Sequence, residues 1–135
     1  MRTATIVISI FSILDMIFTA AFGGWVSYWG RQIIGDPAKW VSFHMTQAVG
    51  TVVITMVALG LVILRKKNIP VFIMAFLAAL GMVFTWLSGL LTFHQPGLIA
   101  VLARVFHFHG AQAISTVLFG IVTLSLAIAA ETQKE

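Results

Sequence analysis

Hydrophobic positions run on along this chain almost without interruption, and charged ones are confined to a few short breaks. No Asp, Glu, Lys or Arg occurs from residue 41 to 64, from 68 to 103, or from 105 to 130. A helix needs about 20 mostly apolar residues to cross the hydrocarbon core of a bilayer. Backbone amides in lipid must bond within their own segment, so runs of this kind are helices. Four spans are predicted, over residues 5–29, 40–64, 69–93 and 101–130. The first reads as a membrane span and not as a signal peptide, because it is too long and no clear small-residue cleavage site follows it. The fold class expected is an all-α membrane protein, a bundle of four transmembrane helices in one domain over residues 1–135.

Composition sharpens this picture. Of 135 residues, 60% are hydrophobic and 9% charged, where a soluble domain carries about 25% charged residues. The net charge of +4 does not indicate nucleic acid, because the basic residues sit at predicted helix ends, where lipid head groups account for them. The lipid bilayer is the expected partner. Arg65, Lys66 and Lys67 join the second and third spans, and the positive-inside rule places that connection, and with it both termini, in the cytoplasm. The location expected is a prokaryotic cytoplasmic membrane. Trp25, Tyr28, Trp29 and Trp40 gather at the opposite boundary, as an aromatic belt would. The absence of Cys excludes disulfides, thiolate metal sites and cysteine nucleophiles.

The two halves resemble each other. Phe43-His44-Met45-Thr46-Gln47-Ala48 and Phe108-His109-Gly110-Ala111-Gln112-Ala113 share the pattern Phe-His-x-x-Gln-Ala, and Met16-Ile17-Phe18-Thr19 matches Met82-Val83-Phe84-Thr85. Gly23 then corresponds to Gly89. The chain therefore reads as two tandem helical hairpins, residues 1–66 and 67–135. A two-span unit returns to its starting side, so the copies are parallel, related by a pseudo-twofold axis along the membrane normal.

That axis gives His44 and His109 their meaning. Polar groups inside a membrane are expensive and usually functional. Two histidines at one depth on symmetry-related helices fit bis-imidazole ligation of a haem iron, in a cofactor site built between facing helices. Gly23 and Gly24 on the first hairpin, and Gly89 on the second, lie level with the histidines and would let a flat macrocycle approach the backbone. Gln47 and Gln112, three residues on from each histidine and on the same helix face, are placed to bond the porphyrin edge or each other. Arg104, Arg31, Lys39 and His94 lie toward the same end as candidate partners of haem propionates, since Arg pairs carboxylates well. Taken singly, each of these residues is explained as helix packing or a snorkelling side chain. The symmetric pairing reverses that for His44 and His109. One haem b per chain is expected, with a quinone as a second candidate ligand.

His107 points to a different helix face from His109, and a dedicated zinc or copper site needs more ligands than this spacing offers. Asp15 is the one acidic residue inside a span. It has Gly81 as its repeat counterpart, so duplication does not account for it. It is a candidate proton site, serving a quinone, or else a structural acid bonded to Thr85 or Ser12.

With the histidine pair in hand, the chain resembles half of a haem A synthase, a family of two four-helix bundles. Each of those bundles is a duplicated hairpin with a histidine in its second and fourth helices. Thr85-Trp86-Leu87-Ser88-Gly89-Leu90-Leu91, followed by His109 and a long apolar run, looks like the third and fourth helices of such a bundle. The resemblance implies the scaffold and the ligands His44 and His109. It does not extend to the family's Glu-x-x-His-Arg signature, since Val41 and Met45 stand at the Glu and Arg positions. The chain is also similar to small four-helix membrane cytochromes b.

The leading expectation is a b-type cytochrome subunit that transfers electrons between quinone and a partner within a respiratory complex, rather than a stand-alone enzyme. The alternatives are a haem-modifying enzyme and a cofactor-free structural subunit of a membrane complex.

Overall fold

The computed structural model describes residues 1–28, 37–65, 69–94 and 99–133, and within its helices residues 27–28, 37–38, 90–94 and 99–108 are described by backbone alone. Four helices account for nearly all of it: α1 (Arg2–Tyr28), α2 (Pro37–Arg65), α3 (Ile69–His94) and α4 (Ile99–Thr132). Each contains a stretch long and apolar enough to cross a bilayer, and no strand occurs among the described residues. The four-span, all-α architecture read from the hydropathy pattern is the one observed. α2 and α4 overrun their predicted spans at both ends, because helical hydrogen bonding continues past the hydrocarbon core into the head-group layer. Pro37 opens α2 and Pro70 sits in the first turn of α3, positions where a missing N–H costs no intrahelical bond.

The helices close a square. α1 packs on α2, α2 on α3, α3 on α4, and α4 returns to α1, with the larger interfaces inside each hairpin. Across the diagonal, α2 and α4 touch only sparsely. Successive helices run antiparallel. Arg2, Arg65, Ile69 and Thr132 therefore share one end of the bundle, here the terminal end. Tyr28, Pro37, His94 and Ile99 share the opposite, histidine end.

The interior is small-featured and partly polar, and the exterior carries the bulk. Met16, Leu59, Leu124, Ala58, Ala75, Ala78 and Met82 form the core, and Ser9, Ser12, Thr55 and Thr123 are fully buried beside them. Phe11, Phe18, Phe84, Ile114 and Leu118 face outward. In water such a surface would invite association; in lipid it is solvated, while small interior residues let the helices approach closely. At the terminal end Arg65 Nε lies 2.6 Å from Glu131 Oε1, with both side chains largely buried. This ion pair ties α2 to α4 where they would otherwise hardly meet.

Candidate functional site

The hydroxyls between helices repeat with the sequence. In the first hairpin Thr19 Oγ1 and Thr51 Oγ1 are 2.6 Å apart; in the second, Thr85 Oγ1 and Thr116 Oγ1 are 3.0 Å apart. These four residues are equivalent under the 66- and 65-residue offsets, so the two hairpins share a contact as well as a motif. In the first hairpin the pair is part of a ring. Gln47 Nε2 donates to Thr19 at 3.1 Å, and Thr51 donates to the carbonyl of Gln47 at 3.2 Å. A hydroxyl has one hydrogen, so Thr51 accepts from Thr19.

Just beyond these pairs, toward the histidine end, the square opens into a cavity of about 340 Å³. That size is within the range of small-molecule and cofactor sites. Its walls carry equivalent residues from both hairpins: Met16 and Met82, Thr19 and Thr85, Gly23 and Gly89, His44 and His109, Ala48 and Ala113, Val52 and Val117. The cavity therefore lies on the pseudo-twofold axis, and both predicted histidines line it.

Each imidazole rests on the glycine of its antiparallel neighbour. A Cβ on Gly23 would lie 2.7 Å from His44 Cε1 and 3.0 Å from Nε2, and one on Gly89 would lie 3.1 Å from His109 Cε1 and 3.5 Å from Nε2. At the glycines expected to admit a macrocycle, it is the imidazole rings that lie against the backbone. Gly24 lines the cavity as well, with nothing within 4 Å of a Cβ added there.

The two histidines differ in how they are held. Ser88 Oγ donates to the Thr85 carbonyl at 2.9 Å and lies 2.9 Å from His109 Nδ1. With its hydrogen committed to that carbonyl, Ser88 accepts from Nδ1–H. This network assigns the Nδ1–H tautomer to His109 and leaves the Nε2 lone pair free. A ring nitrogen anchored while the other faces a metal is the usual arrangement of a metal-ligating histidine. The position equivalent to Ser88 is Phe22, whose ring centroid lies 6.1 Å from that of His44. His44 Nδ1 is buried and has no hydrogen-bond partner. Phe22 also stacks on Trp25, and Trp25 meets Trp40 edge-on, so these members of the expected aromatic belt gather around Phe22. The side chain of Tyr28, and Trp29 entirely, fall outside the described residues.

Gln47 bonds Thr19, and neither Gln47 nor Gln112 lines the cavity. Lys39 is exposed one turn before Phe43. Arg31 and the side chains of His94, Arg104 and His107 lie outside the described residues. Asp15 Oδ2 is buried without a hydrogen-bond partner, while Ser12 bonds Thr55 and Thr85 bonds Thr116. Among the described residues no three His, Asp or Glu side chains gather as a metal site.

The donor set is one a haem iron takes: two imidazoles from diagonal helices line one mostly apolar cavity, with a glycine beside each ring. The threonine pairs and the Arg65–Glu131 contact were not anticipated. Thr51 and Thr116 carried a signal, since each lies one turn beyond its glutamine at the repeat offset. No family model, no curated protein and no solved structure matches the chain, so its chemistry is argued from these residues.

Proposed function

We propose that the chain is a b-type cytochrome of a prokaryotic cytoplasmic membrane, holding one haem between His44 and His109. In this reading it passes electrons between a quinone and a partner subunit of a respiratory complex, with both termini on the cytoplasmic side. The observation that carries the reading is the cavity on the pseudo-twofold axis, lined by a symmetric pair of histidines and otherwise mostly apolar. A bound haem b would supply one-electron exchange at its iron.

The chain's own residues provide the rest. Ser88 fixes the tautomer and angle of His109, and Gly23 and Gly89 leave room for the two rings. Met16 and Met82 floor the chamber, and an apolar shell of this kind keeps water from a redox centre and tunes its potential. The threonine pairs fix the relative height of the helices that carry the glycines and histidines. The described cavity lining carries no carboxylate, so the haem-modifying alternative finds no acid there.

The test is haem content in single variants. His44→Ala and His109→Ala should each lose the low-spin haem while keeping a helical, monodisperse protein in detergent. Full haem in both variants would remove the ligand assignment. Ser88→Ala should keep haem with a shifted potential, because His109 loses its acceptor.

A further inference from the structure

The first hairpin carries a line of polar groups that the second does not. On α1, Thr5, Ser9, Ser12, Asp15 and Thr19 recur every three or four residues, so they share one face. Their levels are about 5–6 Å apart along the helix. At the equivalent positions before Thr85, α3 has Val71, Ala75, Ala78 and Gly81, and Gly120 replaces Thr55. The hairpins also differ around the cavity, where Ala20, Phe22 and Met45 stand against Trp86, Ser88 and Gly110, but toward the terminal end the second hairpin packs with apolar residues where the first has this polar run.

These groups join the two ends. At the terminal end a cavity of about 30 Å³ is lined by Thr5, Arg65 and Glu131, enough for a water by volume and polarity. One turn further in, Ser9 Oγ is fully buried and unpartnered. Then come the Ser12–Thr55 pair at 2.8 Å and Asp15, whose Oδ2 is buried and unpartnered. Beyond Asp15, Thr19 and Thr51 line the histidine cavity. Single waters bridge gaps of this size between hydroxyls. Asp15 is the only titratable side chain in residues 3–25 of α1, and residues 46–64 of α2, 70–93 of α3 and 110–130 of α4 have none. The groups facing it along the bundle are therefore His44 and His109 toward one end, and Arg65, Glu131 and Arg2 toward the other.

We propose that this line is a proton path from the terminal face to the histidine cavity, and that Asp15 takes up one proton when the cavity's redox centre gains one electron. The coupling rests on the haem reading; the path itself does not. The electron would come from a quinol, the donor class of the proposed function. A proton leaves hydronium at the terminal face and passes along the hydroxyls and waters. It ends on a carboxylate oxygen of Asp15, offsetting the negative charge of the added electron. Reoxidation releases it.

The experiment is a redox titration of the purified chain against pH, with infrared difference spectra, on the parent protein and Asp15→Asn. One proton per electron gives a midpoint potential falling by about 59 mV for each tenfold drop in proton concentration. The parent should show this slope and a protonated-carboxyl C=O band on reduction; Asp15→Asn should lose both. A flat parent titration, or the same slope in Asp15→Asn, overturns the proposal. Ser9→Val should leave the slope intact and slow the band's appearance after rapid reduction by about tenfold, because it removes a bridging hydroxyl; an unchanged rate overturns entry from the terminal face. If the chain holds no haem, the haem reading fails and the infrared pH titration decides the path alone. A carboxyl band that titrates and vanishes in Asp15→Asn supports it, and one that does not titrate overturns it.

Discussion

Replacing Gly23 by Ala puts a methyl group where the edge of the His44 ring lies. The added Cβ would fall 2.7 Å from Cε1, about 0.7 Å inside the 3.4 Å at which ordinary contact begins. His44 cannot swing freely, because Phe22 packs beside it and Phe22 is itself set against Phe43. The ring or the α1–α2 spacing must give. At Gly89 the same substitution brings Cβ to 3.1 Å from His109 Cε1, and a shift of a few tenths of an ångström relieves it. Gly50 is the control, since it is exposed and a Cβ there meets nothing within 4 Å. Overpacking typically costs about 1–3 kcal/mol, and Gly→Ala within a helix returns up to about 1 kcal/mol. Gly23→Ala should therefore lose about 1–2 kcal/mol, Gly89→Ala should come out near zero, and Gly50→Ala should be neutral or gain. Reversible unfolding in mixed micelles gives the stabilities, and haem content per chain gives the effect on the site. About 1.4 kcal/mol is a tenfold change in affinity, so Gly23→Ala should show partial haem loss at limiting haem. An equal or larger effect at Gly89 would refute the reasoning, because it would mean that the histidines do not rest on these glycines as described.

Two further outcomes follow from the polar contacts. Thr19→Val breaks the ring with Gln47 and Thr51 and removes two hydrogen bonds, each worth about 0.6–1.7 kcal/mol in a membrane protein. Thr85→Val removes the single contact with Thr116, so Thr19→Val should be the more destabilising in the same unfolding assay, and the reverse order would contradict the ring. Glu131→Gln leaves the buried Arg65 charge without its counter-charge; losing one member of a buried pair costs up to about 3–5 kcal/mol, while an apolar replacement of both is often neutral. Glu131→Gln should therefore unfold more readily than the double variant Arg65→Met/Glu131→Leu, and equal stability would show that the pair is solvated.

The fold was legible because membrane helices announce themselves by length and lack of charge, and the four helices are where the hydropathy pattern put them. The repeat was legible at His44 and His109, since Phe-His-x-x-Gln-Ala is spelled twice. The role of Gly23 and Gly89 was half legible. Their level could be read from an antiparallel hairpin, but whether a ring or a macrocycle uses the space depends on the crossing of α1 with α2 and of α3 with α4. The partners of Gln47 and Asp15 were not legible, because rotation of a helix by a few tens of degrees decides which neighbour a side chain meets. The Arg65–Glu131 pair was hidden for a related reason: it spans the diagonal of the square, and which helices stand diagonal is fixed by closure of the whole bundle.

The central claim is that the symmetric histidines hold a haem, and the most direct measurement is the visible spectrum of the chain purified in mild detergent, reduced minus oxidised, with the pigment extracted and quantified. The account predicts a sharp low-spin b-type α-band and one protoporphyrin haem for each chain. A colourless protein that stays colourless after reconstitution with haem would contradict it.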